Sequence, residues 1–344
     1  MIYVILMRIL MISPTISGIG GISQHVKGLT KFLENKGNEV EIISSENTFT
    51  IPIKKLKNPS FMISSFFKSK FKKNFDIVHA QNPVSALAMK NVKGKKILSL
   101  QGNYSKQILF LHGNTAGIIS KKLEKSALEW ADIVTVPSKQ MYEEYLKNGY
   151  DVSYVPNGID ISSFPKDEDR RYKKQLIFAG RLSKEKGILD LLKFVEIASK
   201  DIDIIIIGSG PEESKVREVA ELFSNLHFLG YQSKRNTIKL IRGSDMMIQP
   251  SIMEGGTSSS LLESMACKTS IIATSVDGNK ETIVHMSTAY VVSANNPIEI
   301  NNAVNYLFDN PEKQKIIINN AYDLVYNYDW ERIGQKYLDI YNGL

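Results

Sequence analysis

Two glutamates, Glu254 and Glu263, bracket a run of small residues, Gly255-Gly256-Thr257-Ser258-Ser259-Ser260, within the segment from Asp245 to Glu281. The apolar stretch Met246–Gln249 ahead of it reads as a buried strand, and a helix is expected to open near Ser259 or Ser260. Small residues before a helix let backbone N–H groups approach a phosphate, and the helix dipole favours its negative charge. Carboxylates repel that phosphate, so they are expected to face hydroxyl groups. Phosphate plus polyol at one strand–loop–helix turn describes a nucleotide sugar. The plainer alternative is an ordinary strand–helix turn, with Glu254 solvated and Glu263 on the helix surface.

Basic residues occupy a second such turn. Ala179-Gly180-Arg181-Leu182-Ser183-Lys184-Glu185-Lys186-Gly187 follows an apolar run and precedes a helical pattern. A planar guanidinium at Arg181 and a compact ammonium at Lys186 suit oxygens of one diphosphate; a solvated basic turn is the alternative. Gly208-Ser209-Gly210-Pro211 is a further strand-end turn, read either as a close approach to a nucleoside or as a tight turn. Gly18, Gly20 and Gly21 follow the first apolar run and could bring backbone near a diphosphate, but their spacing misses GxGxxG and argues against an NAD site. His79 and Gln101 each end an apolar run. His79 either lines a ligand site or is packed and hydrogen bonded; Gln101 can orient a hydroxyl but cannot act as a base.

These residues need a scaffold that carries strand ends to one edge. Ile9–Ile12, Val40–Ser44, Asp76–His79, Ile97–Leu100 and Ile133–Pro137 alternate with helical patterns over Ile22–Asn35 and Leu109–Trp130. A second alternation runs through Leu176–Ala179, Ile204–Ile207, His227–Leu229, Met246–Gln249 and Ile271–Ala273, with Ile298–Val325 helical. Such alternation predicts parallel sheets with helices on both faces and ligands at the carboxyl ends of the strands. The charged segment Pro165–Gln175 reads as a linker. The expected division is residues 1–165, residues 166–327, and a terminal helix over 328–344 that packs back across the boundary.

Composition narrows the class. The 344 residues suffice for two domains, and 43% hydrophobic with 23% charged residues is ordinary for a globular protein. Cys267 is the only cysteine, which fits a reducing compartment, and the five histidines show no metal-ligand spacing. No metal site is expected. The N-terminal apolar run is short and interrupted by Arg8, with no cleavage-site pattern, and Met7 is an alternative start that would make Met1–Leu6 dispensable. The net charge of +7 is partly local, with Lys54, Lys55, Lys57, Lys68, Lys70, Lys72 and Lys73 in one segment. Ile51–Lys73 mixes those lysines with Phe61, Phe66, Phe67 and Phe71, which suits an anionic membrane interface; a solvated helix with an apolar inner face is the alternative.

In order, the Gly20-Gly21 loop, DIVHAQ, PNGID, AGRLSKEKG, GSGP and EGGTSSSLLESMA make the chain resemble the retaining nucleotide-sugar glycosyltransferases of family four, over nearly its whole length. The resemblance implies the GT-B fold: two Rossmann-like, doubly wound parallel-sheet α/β domains facing a cleft. It implies that Arg181 and Lys186 hold the donor diphosphate, Glu254 contacts the sugar hydroxyls and Glu263 the ribose. Gly255, Gly256, Thr257 and Ser258 would offer backbone N–H groups, Gly20 and Gly21 would lie near the diphosphate, Gly208 and Gly210 near the nucleoside, and His79 and Gln101 near sugar or acceptor.

Three positions depart from the family pattern. The two glutamates are separated by eight residues instead of seven, Gln101 stands where many members carry histidine, and Lys268 and Ser270 replace the usual Gly and Pro. The expected activity is metal-independent, retaining transfer of a sugar from a UDP- or GDP-linked donor to a saccharide or lipid-linked acceptor. No cofactor and no nucleic acid partner are expected, and the expected location is cytoplasmic or at the inner membrane face. A nucleotide-sugar 2-epimerase and a non-catalytic sugar-nucleotide-binding protein remain the alternatives, the second kept open by Gln101.

Overall fold

The computed structural model describes residues 6–16, 20–53 and 56–344. Gly18, Lys54, Lys55 and Met1–Ile5 lie outside them. The chain forms two compact units: one runs to Gly158 and takes back Trp330–Leu344, the other is Ile159–Asp329.

The N-terminal unit contains β1 (Arg8–Ile12), α1 (Gly21–Asn35), β2 (Glu39–Ile43), α2 (Lys57–Ser69), β3 (Ile77–Ala80), α3 (Pro83–Ala86), β4 (Lys95–Ser99), α4 (Tyr104–His112), α5 (Asn114–Glu129), β5 (Ile133–Val136), α6 (Lys139–Lys147) and β6 (Val152–Tyr154). Its six strands pair in the order β2-β1-β3-β4-β5-β6, all parallel. The second unit contains β7 (Gln175–Ala179), α7 (Ile188–Ile197), β8 (Asp203–Ile207), α8 (Glu213–Leu222), β9 (Leu226–Gly230), α9 (Lys234–Arg242), β10 (Met246–Gln249), α10 (Ser259–Cys267), β11 (Ser270–Thr274), β12 (Tyr290–Val292), α11 (Pro297–Asp309) and α12 (Pro311–Val325). Its strands run β12-β11-β10-β7-β8-β9, again all parallel. Both sheets are the doubly wound kind that the alternation predicts.

Most of the central strands are largely apolar runs because both faces of a parallel sheet are covered, whereas the edge strand β2, EVEII, alternates. In the N-terminal unit Leu10, Ile12, Val78, Ala80 and Leu98 enter one core, while Ile9, Met11, Ile77 and Ile97 enter the other. The second sheet divides the same way: Leu176, Phe178, Ile204, Ile206 and Ile248 face one side, Ile177, Ala179, Ile205, Ile207 and Met247 the opposite one. Side chains two apart share a face.

The last helix, α13 (Trp330–Gly343), belongs to the N-terminal unit. Trp330, Ile333, Tyr337 and Tyr341 join Val26, Leu29, Phe32 and Leu33 in one core. The fit uses two glycines reciprocally. A Cβ on Gly28 would lie 2.1 Å from the Trp330 ring, and one on Gly334 would lie 2.3 Å from the Phe32 ring.

Several boundaries differ from expectation for local reasons. The helical pattern over Leu109–Trp130 resolves into two helices, α4 and α5, separated by Gly113 at φ +81°. Ile298–Val325 is likewise two helices, broken where Pro311 opens α12 without an N–H to continue α11. The three-residue strands β6 and β12 are too short for the periodicity to show. Pro165–Gln175 is no free linker. Arg170 holds both carboxylate oxygens of Asp245 at 3.0 and 2.9 Å, Asp169 N–H donates to the Lys239 carbonyl, and Gln175 opens β7. The chain leaves the N-terminal unit earlier, after Gly158.

Candidate active site

In the second unit the strand order reverses between β7 and β10, which are paired neighbours. Loops leaving adjacent strands to opposite faces open a crevice at such a point, where open α/β sheets bind ligands. The β7 loop carries Arg181 and Lys186, and the β10 loop carries Glu254 and the small-residue run.

Backbone contacts lock these loops together. Ile252 and Met253 N–H both donate to the Glu185 carbonyl, at 2.9 and 3.2 Å. Gly187, at φ +69°, lies so close to Pro250 that a Cβ would sit 1.8 Å from its carbonyl oxygen. The β8 loop closes in from the other side. Gly208, at φ +136°, presses on the Gly180 carbonyl, and Gly210 presses on that of Leu182. Leu182 N–H donates to Ser209 O, and Glu212 N–H returns to Leu182 O. Both glycines of GSGP are thus used for loop-on-loop packing.

The locked loops bring Lys186 to Glu254. The ammonium reaches both carboxylate oxygens, at 2.7 and 2.6 Å. Glu254 is 7% exposed, so the solvated alternative for it does not hold. Its Oε1 also accepts from Ser251 Oγ at 2.7 Å and Gln249 Nε2 at 3.1 Å. A buried carboxylate requires such partners. Arg181 is half exposed, and its guanidinium stands 3.7 Å from Glu185.

The loop then enters α10. Thr257 Oγ1 donates to Gly278 O at 3.2 Å, and Ser258 N–H donates to Asn279 Oδ1 at 3.2 Å. Gly278 must lack a side chain here, because a Cβ would lie 2.3 Å from the backbone of Gly256. Glu263, on α10, is 5% exposed and forms an ion pair with Lys234 at the start of α9. It is therefore not a surface helix residue. Lys268, where the family usually has glycine, caps α10 in the left-handed conformation at φ +59°.

The structure brings Arg181, Lys186, Gly208, Gly210, Glu254, Gly255, Gly256, Thr257, Ser258 and Glu263 into the second unit. Gly20, Gly21, His79 and Gln101 belong to the N-terminal unit. Gly20 precedes α1 and has open space where a side chain would be. Gln101 is half buried and donates to Gln81 at 3.3 Å. His79 is fully enclosed: Nδ1 meets the Tyr341 hydroxyl at 2.7 Å and Nε2 meets Ser99 Oγ at 2.6 Å. Burial, with the nearby His25, holds its pKa well below the usual histidine range, and burial pushes His25 down to about 3. His79 takes the packed, hydrogen-bonded alternative.

Sequence reasoning passed over Gln249, Ser251, Ser260, Lys234 and Asn279. One signal was available: an amide closes the buried run MMIQ, where only apolar residues are expected. Among the described residues no three His, Cys, Asp or Glu side chains converge as a metal site.

Glycosyltransferase Family 4 matches residues 19–163, and Glycosyl transferases group 1 matches residues 160–324. The chain belongs to the family-four glycosyltransferases. The glycosyltransferase is 23% identical to the phosphatidyl-myo-inositol mannosyltransferase of Mycolicibacterium smegmatis, over 97% of this chain and 93% of the relative. Sucrose-phosphate synthase from Thermosynechococcus elongatus matches it with a TM-score of 0.82 at 19% identity, covering 98% of both chains. Anabaena HepE, solved in complex with UDP-glucose, matches with a TM-score of 0.75 at 15% identity, covering 98% of this chain and 100% of HepE. The two sheets of the glycosyltransferase are those of the GT-B fold.

Proposed function

We propose that this glycosyltransferase moves a sugar, with retention, from a nucleotide-diphosphate sugar to a saccharide or lipid-linked acceptor, and that it does so without a metal. The observation that carries the reading is the Lys186–Glu254 pair held at the mouth of the small-residue loop before α10. A cation for phosphate and a carboxylate for hydroxyls stand side by side there. The donor is taken as UDP- or GDP-linked; HepE supports this through its UDP-glucose complex. The N-terminal unit is assigned the acceptor.

Breaking the C1–O bond leaves charge on the diphosphate. Arg181, Lys186 and the N-terminus of α10 would stabilise that charge, which is transition-state electrostatics. The acceptor oxygen bonds C1 on the face the phosphate leaves, and its proton passes to the departing phosphate oxygen. Glu254 orients the sugar through its hydroxyls, and Glu263 reads the ribose.

A thermal-shift screen against UDP, GDP, ADP and their sugar conjugates, without added metal, tests the donor site. A ligand at 100 times its Kd should stabilise by about 2.7 kcal/mol. One nucleotide series should shift the midpoint, and Arg181→Ala should remove the shift. No shift with any nucleotide overturns the reading. Donor consumed with no acceptor present supports the epimerase instead.

The face of α2 favours an anionic membrane as the surface on which a lipid-linked acceptor is met. Its inward positions are Phe61, Ser65 and Ser69, whereas Ile63 and Phe67 are exposed, as is Phe71 just beyond its end, at 84%. Besides the buried Phe61, the helix thus carries apolar side chains on its outer face, where an ordinary surface helix is polar. Exposed Lys57, Lys70 and Lys73 flank that face, with Lys70 5.1 Å from the Phe67 ring centre. Sedimentation with phosphatidylglycerol vesicles should exceed that with phosphatidylcholine and fall on Phe67→Ser/Phe71→Ser. Equal binding to both vesicles overturns this assignment.

A further inference from the structure

Gln249 is 2% exposed at the end of β10, and its amide touches four groups. Nε2 stands 3.1 Å from Glu254 Oε1, 3.2 Å from Ser251 Oγ and 3.0 Å from Ser258 Oγ; Oε1 lies 2.6 Å from Ser260 Oγ. Ser258 and Ser260 hydroxyls are 2.9 Å apart.

The proton directions follow from chemistry. An ionised carboxylate only accepts, so Ser251 Oγ donates to Glu254, and the Gln249 NH2 faces Glu254, Ser251 and Ser258. Gln249 Oε1 can only accept, so Ser260 donates to it. That commits the Ser260 proton, and Ser258 must donate to Ser260. The result is a closed ring in which every donor points the same way: Gln249 to Ser258, Ser258 to Ser260, Ser260 back to Gln249. Rings of this kind are mutually polarised and stiff.

Ser258 and Ser260 form the entry to α10, where phosphate would bind, while Glu254 is the group that would read sugar hydroxyls. We infer that Gln249 is a positioning residue that holds the sugar-reading carboxylate of Glu254 in register with the phosphate-reading turn of α10, and so sets how much tighter the sugar nucleotide binds than the bare nucleotide. The inference rests on the donor-site reading above. It also assigns phosphate contact at this turn to backbone N–H groups, since both serine protons are engaged in the ring.

Calorimetric titration with UDP and UDP-glucose, and with GDP and GDP-mannose, tests it. Gln249→Met keeps the volume and removes the ring. The wild-type preference for the sugar conjugate over its bare nucleotide should fall about tenfold, the worth of one hydrogen bond to a charged group. Affinity for the bare nucleotide should change by less than about threefold, within the scatter of an uninvolved contact. Turnover should fall more than donor KM rises. Ser260→Ala opens the ring at its other link and leaves Gln249 in place; it should shift the preference in the same direction and carries the test if Gln249→Met does not fold. A folded Gln249→Met protein with unchanged preference, or with both affinities lowered equally, overturns the proposal alone. A wild-type protein that binds none of the four ligands overturns the donor reading and this proposal together.

Discussion

Lys186→Ala is expected to lower kcat/KM by about two to three orders of magnitude, the loss typical when one preorganised charge-stabilising group is removed. The same substitution should also destabilise the second unit. Glu254 is nearly inaccessible, and its two oxygens both face the Lys186 ammonium. Removing one partner of a buried ion pair costs about 3–5 kcal/mol. The lower end applies here, because Ser251 and Gln249 still donate to Oε1. The two effects separate in the double variant Lys186→Ala/Glu254→Gln. Neutralising the stranded carboxylate should recover most of the stability, read as the urea midpoint, and none of the turnover. A Lys186→Ala protein with wild-type rates, or a double variant that regains activity, would remove Lys186 from the chemistry and leave it a structural cation.

Gly187→Ala should be among the most damaging single methyls in the active-site loops. The residue is held at φ +69°, where a Cβ meets the preceding carbonyl, and the added atom would lie 1.8 Å from Pro250 O. The left-handed backbone costs about 1–2 kcal/mol, and the forced separation of the two loops about 1–3 kcal/mol more. A lower urea midpoint with an unchanged slope would report this. Gly343→Ala is the control. A Cβ there meets nothing within 4 Å, so the midpoint should move by less than about 0.5 kcal/mol equivalent. A mild effect at Gly187 would mean that the β7 and β10 loops are not locked in the way their hydrogen bonds indicate.

Much of this molecule is legible in its sequence, and for definite reasons. Strands such as Ile204–Ile207 and Met246–Gln249 are short apolar runs between turn residues, and parallel strands buried on both faces must look like that. The alternation with helical patterns fixes the doubly wound class. The turn before α10 is legible because it places small residues in consecutive positions between a buried strand and a helix. Arg181, Lys186 and Glu254 stand out because they are charged side chains in loops that leave buried strands, and Glu263 because it interrupts the apolar positions of α10. Their order along the chain also carries the family resemblance.

What the sequence does not carry is pairing between residues far apart in the chain. Nothing local says that Lys186 meets Glu254 or that Lys234 meets Glu263. The Lys186–Glu254 pair exists because β7 and β10, separated by two intervening strands in sequence, are neighbours in the sheet, and the Lys234–Glu263 pair because α9 and α10 pack together. His79 shows the same limit from the other side. Its place at a strand end allows a ligand site or a packed core, and only the docking of α13, which brings Tyr341 to its Nδ1, decides for the core. Residue types and their local spacing determine which elements form and which chemistry is available. Strand order and helix docking, which depend on contacts across long stretches of chain, decide which of those groups face a ligand and which face each other.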